Sequence, residues 1–178
     1  MVAIQHVTAV GVTGVAAYTD VRGGKIPNWL TYPLLLAAPV LFYVAFGEQG
    51  LWDSGLGFLA CGIVPLAMWR TGGMGGGEVK LLAGLGALTG VFVGIEIEFY
   101  AMAAGCVAAI VVLARKRRLL PALGNLFFLL FNRVIPKKWR RDVSSELQHE
   151  IRVGPYILVG TLIAVALQHP QWVGMNPS

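Results

Sequence analysis

The chain has 178 residues, of which 56% are hydrophobic and only 13% charged, with a formal net charge of +5. A soluble domain ordinarily carries about a quarter charged residues, so the composition excludes an ordinary soluble enzyme and points to an all-α, polytopic membrane protein. The basic excess is not a nucleic-acid footprint, because its distribution along the chain follows membrane topology instead.

In chain order, apolar blocks near the ~20 residues that cross a bilayer as a helix fall at 2–19, 29–46, 55–69, 79–95, 99–114 and 153–167. They predict about six transmembrane helices in one membrane-embedded domain over 1–178. The first block is not a typical cleavable signal peptide, since no Lys or Arg precedes it and the chain runs directly into further blocks. The connection after the first block carries Arg22 and Lys25, and the third carries Arg70 and Lys80. The fifth, at about 115–152, holds every other basic residue, from Arg115 to Arg152. The second and fourth hold acids alone: Glu48, Asp53, Glu96 and Glu98. All basic residues thus fall on one side, which the positive-inside tendency makes cytoplasmic, with both termini outside. Within the long fifth connection, the apolar run at 119–131 predicts an interfacial helix on the inner leaflet, in contact with membrane lipids. Ser145 and Gln148 have capping-box spacing at a possible helix start.

Cys61 and Cys106 lie in separate blocks without a C-x-x-C, and His6, His149 and His169 are scattered. A metal site or a disulfide framework is therefore unsupported. The acids are more informative. Asp20 ends the first block, and Glu78 follows the glycines of "RTGGMGGGEVKLL" just before the fourth. Both fall at the cytoplasmic boundary, where helix packing can bring them together, and an ionisable group beside hydrocarbon is a functional candidate. Two carboxylates a few Å apart cannot both ionise readily. One then serves as general base on water while the other, protonated, donates to a scissile carbonyl. Gly75 and Gly77 permit close backbone approach, so a peptide can lie beside Glu78. Arg22 and Lys80 are expected to act on the nearby acids and to orient a substrate carboxylate. A phosphate loop is excluded, because Glu78 stands where a P-loop needs Lys.

At these residues the sequence resembles the type IV prepilin peptidase family, membrane aspartic proteases named for a G-x-G-D motif. The resemblance rests on Asp20, Arg22 and "IPNWLT" at 26–31, which includes Pro27 and Asn28, and on "GGGEVKL" at 75–81 in the place of G-x-G-D-x-K-L. "GPYILVGTLIA", beginning at Gly154, is similar to the family's closing segment. The resemblance implies catalytic roles for Asp20 and Glu78, with support from Arg22, Pro27, Asn28, Gly75, Gly77 and Lys80. It implies leader removal from a prepilin or pseudopilin at the inner face of the bacterial cytoplasmic membrane. Water is the nucleophile in that scheme, and no cofactor is expected. The cysteine-rich N-terminal region of bifunctional members is not seen, which resembles the short, peptidase-only members of tight-adherence (Flp) pilus systems and predicts no methyltransferase activity.

One departure stands out. Glu78 occupies the position of the second catalytic Asp, and its extra methylene shifts the carboxyl by about 1.5 Å of bond length. An alternative reading is therefore a catalytically impaired relative acting in pilus or secretion assembly. A transporter is disfavoured, since both acids sit at one face and leave no path across the bilayer.

Overall fold

The structure, a computed structural model, describes residues 2–70, 73–115 and 152–168. The apolar run at 119–131 and the Ser145/Gln148 pair lie outside the described residues. The described residues form four helices and no strand: α1 (Val2–Gly23), α2 (Asn28–Arg70), α3 (Gly76–Arg115) and α4 (Gly154–Gln168). The chain divides into two compact units, Met1–Ala104 with Arg152–Ser178, and Gly105–Ile151. All packing described below belongs to the first. Of the second, the described residues are the last turns of α3.

The faces of α1 and α4 that meet are rich in small and hydroxylated residues, leucines of α3 fill the core, and many other large apolar side chains point outward. On α1, Ala9, Thr13, Ala16 and Asp20 are buried at the three- and four-residue spacing of one helix face. Ile157, Gly160, Thr161 and Ala164 form the buried face of α4, which packs along α1. The hydroxyls of Thr13 and Thr161 donate to Ala9 O and Ile157 O, each at 2.8 Å, so these polar groups are satisfied within their own helices. Outward, Leu36 is 74% exposed, Trp52 74% and Phe92 84%. Water would penalise that pattern and lipid would not, while small interfacial residues are what close helix approach in a membrane requires. By length and composition, α2 and the stretch Gly76–Val112 of α3 can each cross a membrane.

Both long helices are broken at a glycine. Gly47 has φ 66°, ψ −148°, and Gly90 has φ 80°, ψ 177°. These conformations are open to glycine and costly for other residues. The chain folds back at each. A Cβ on Gly50 would lie 2.3 Å from Phe42 O, and one on Gly94 would lie 2.8 Å from Gly86 Cα. In a continuous helix those pairs would be about 12 Å apart. The blocks at 29–46 and 55–69 are therefore the two limbs of α2, and the next two blocks belong to the limbs of α3. The turn expected at Glu96–Glu98 is corrected to Gly90. Both acids lie within the helix beyond it, where Glu98 is buried and Glu96 accepts from the Gln168 amide at 3.0 Å. A pair of acids in an apolar stretch resembles a solvated connection, but here the glycine makes the turn.

The limbs pack closely because glycines face one another. A Cβ on Gly57 would lie 2.1 Å from Gly86 O, and one on Gly86 would meet Cys61 Sγ at 2.7 Å. Nearby, Ser54 Oγ donates to Ala87 O at 2.9 Å. Residues 81–89 are buried on every face, so the helix that begins just before Glu78 is the hub of the unit. Gly57→Val is expected to destabilise the protein by about 1–3 kcal/mol or more, read as a lower unfolding temperature in detergent. Gly55→Ala, at a position with open space around it, leaves that temperature unchanged or slightly raised.

Candidate active site

Four helix ends meet at one end of the unit. Helix α1 closes where Gly24, in the left-handed conformation at φ 64°, donates its N–H to Asp20 O at 2.8 Å. The next residues turn directly into α2. Ile26 is buried, and Pro27 acts as the N-cap, its carbonyl accepting from Leu30 N at 3.1 Å and Thr31 N at 3.4 Å. The "IPNWLT" element therefore shapes the α1–α2 corner. It also binds α3: a Cβ on Gly77 would sit 2.8 Å from Ile26 O, so only glycine lets the start of α3 lie against that corner. Lys80 locks the arrangement, its ammonium donating to Asn28 Oδ1 at 3.0 Å and the Tyr32 hydroxyl oxygen at 3.1 Å.

Asp20 is 3% exposed on the inner face of α1. Its Oδ2 accepts from Gly154 N, the first N–H of α4, at 2.9 Å. An orphan donor at a helix start is thus satisfied by a carboxylate from another helix. Arg152 donates to the carbonyls of Asp20 and Val21, placing a cation at the C-terminal end of α1. Glu78 is half-buried in the first turn of α3. Its Oε2 accepts from Gly75 N at 2.9 Å, while Gly75 O accepts from the N–H groups of Glu78 and Val79 at 3.1 and 3.2 Å. Gly75 is therefore the N-cap and Glu78 the acidic half of a capping box. Gly77, packed against Ile26 O, brings the first turn of α3 with Glu78 to the corner that follows Asp20. Each carboxylate thus has one oxygen held by a glycine N–H at a helix start.

Of the residues singled out in the sequence, Asp20, Glu78, Gly75, Gly77, Pro27, Asn28 and Lys80 gather at these helix ends. The two cations, expected to act on the acids, each lie over a tyrosine ring. Arg22 is exposed and stacks over the Tyr18 ring at 4.8 Å, and Lys80 lies 4.6 Å from the centroid of the Tyr32 ring it also bonds. The Lys80 donors go to the α1–α2 corner. Ile26, Tyr32, Arg152 and Gly154 also build the site and were not singled out. Gly154 heads the "GPYILVG" segment quoted above, but its pairing with Asp20 exists only in three dimensions.

A model of the type IV leader peptidase family matches residues 7–113. The match takes in most of α1, all of α2 and most of α3, with both Asp20 and Glu78, and the chain belongs to that family. Membership makes the protein a peptidase with a leader-peptidase role, and with its apolar helices it marks a membrane protein. No curated protein matches the chain, and no solved structure does.

The capping geometry separates the structural work of Glu78 from its charge. Glu78→Gln keeps an oxygen for Gly75 N–H and is expected to hold wild-type stability within about 0.5 kcal/mol, whereas Glu78→Ala loses on the order of 0.5–1 kcal/mol. Thermal unfolding of the two variants in detergent checks this.

Proposed function

We propose that this protein is a membrane aspartic endopeptidase that removes the leader of prepilin-like substrates at the cytoplasmic face, with Asp20 and Glu78 as its working pair. The observation that carries the reading is that a buried Asp20 closes α1 beside the α1–α2 corner, while Gly77, packed on Ile26 O of that corner, brings the first turn of α3 with Glu78 to it. One ionised carboxylate takes a proton from water as the oxygen attacks the scissile carbonyl, and the protonated partner donates to the carbonyl oxygen. Collapse of the tetrahedral intermediate breaks the C–N bond, and the leaving amine takes a proton from the pair.

The topology proposed with this function has six crossings. The fold-backs at Gly47 and Gly90 divide α2 and α3 into two limbs each, which with α1 and α4 makes six. The basic residues then flank the Asp20 end, with both termini on the far side. The limb starting at Gly76 is short for a bilayer, but its residues 81–89 are enclosed by protein and need not match the hydrocarbon thickness. In this arrangement the substrate's apolar helix lies against the exposed apolar faces, and its basic leader stays at the inner surface. The membrane is the bacterial cytoplasmic membrane, and the substrate class is Flp-type prepilins.

A second reading, a non-catalytic assembly factor, draws on the Glu78–Gly75 bond, which occupies one carboxylate oxygen in a purely structural task. Two experiments decide. In cells co-expressing a Flp-type prepilin, Asp20→Asn or Glu78→Gln is expected to abolish the gel shift of leader removal while the protein still inserts. Normal processing by either variant would refute the pair. Glu78→Asp shortens the side chain, releases it from Gly75 and restores the family's residue, so leader removal should persist or quicken. A protein that never cleaves would show no such response.

A further inference from the structure

The fixed orientation of Asp20 has its source outside the segment that matches the family model, in the residues that open α4. A single buried carboxylate is held there at two levels. Its backbone carbonyl, with that of Val21, accepts from the Arg152 guanidinium, and its side-chain Oδ2 accepts from Gly154 N at 2.9 Å. Gly154 also leaves no spare room. A Cβ at that position would lie 2.8 Å from Asp20 Cβ and 2.9 Å from Oδ2, closer than such atoms approach, so any larger residue must displace the carboxylate.

We propose that Arg152 and Gly154 are positioning residues for Asp20, and that they divide the labour of its two oxygens: Oδ2 is anchored to the start of α4, and Oδ1 is the oxygen that takes and returns the proton of water. The inference rests on the reading of Asp20 as half of the working pair. A backbone N–H can only donate, and Oδ2 can accept in either protonation state so long as the proton sits on Oδ1. The anchor therefore survives a proton cycle on Asp20, which a side-chain partner that could rotate or ionise would not ensure. Arg152 fixes the other end of the same lever. It holds the last turn of α1, from which Asp20 projects, against the residue that precedes the α4 start.

The test uses the full-length protein in detergent micelles with a Flp-type prepilin, measuring kcat and KM for leader removal together with unfolding temperature. Gly154→Ala is expected to lower kcat by roughly 10- to 100-fold, the cost of an ångström-scale misplacement, with KM within about twofold of wild type. Arg152→Ala should also lower kcat. Arg152→Lys should recover most of that loss, because an ammonium can donate to both carbonyls. Should Gly154→Ala not fold, the Arg152 pair carries the test alone. Wild-type kcat in both Gly154→Ala and Arg152→Ala, with Asp20→Asn inactive, would overturn the positioning role and leave the working pair standing. So would losses in kcat that follow the unfolding temperature with no recovery in Arg152→Lys. An active Asp20→Asn would instead overturn the pair itself, and the positioning role with it.

Discussion

The bond between Asp20 and the first N–H of α4 is the constraint on which the rest of the arrangement depends. A carboxylate 3% exposed and unpartnered would cost several kcal/mol in a low-dielectric interior. Here it satisfies a helix start that would itself be orphaned. For the two to meet, α1 and α4 must lie side by side along their full small-residue faces, and position 154 must lack a side chain. The packing of the terminal helices and the orientation of one carboxylate are thus a single structural fact.

The second carboxylate reaches the same place by another route. Residues 81–89 of its helix are enclosed on all sides, which requires α2 and α3 to double back at Gly47 and Gly90 and to approach closely through Gly57 and Gly86. Gly77 then lets the start of α3 lie on the carbonyl of Ile26, and Lys80 ties it to Asn28 and Tyr32. The glycines around Glu78 therefore do more than leave room for a peptide. Gly77 brings the acid to the α1–α2 corner, and Gly75 holds one of its oxygens. The Glu78 side chain reaches back to Gly75, so this acid has a local structural task of its own.

Much of this was legible in the sequence, for identifiable reasons. The ends of α1 and α4 follow the apolar blocks closely, because composition changes sharply where those helices leave the interior. The charges around Asp20 and Glu78 suggested one side for both, and the structure sets each at a helix end of the same unit. The turn of α3 was misplaced because Glu96 and Glu98 look like surface residues, while Gly90 is one glycine among many in an apolar stretch. Its backbone conformation leaves no trace in composition. Arg22 was expected to act on the nearby acids, and it is two residues from Asp20. On a helix that spacing points a side chain away from its neighbour's face, and the structure stacks it on Tyr18. The Asp20–Gly154 bond joins the first and last helices, and no periodicity within either one encodes it.

The central claim is that Asp20 and Glu78 act as one unit, and a double-mutant comparison tests it most directly. Single-turnover leader removal from a Flp-type prepilin would be measured for Asp20→Asn, Glu78→Gln and the double variant, each purified and shown to be folded. Residues that share one chemical step are strongly non-additive, so the account predicts that the double variant is no slower than the worse single one. Losses that multiply, each variant costing its own factor independently of the other, would contradict it.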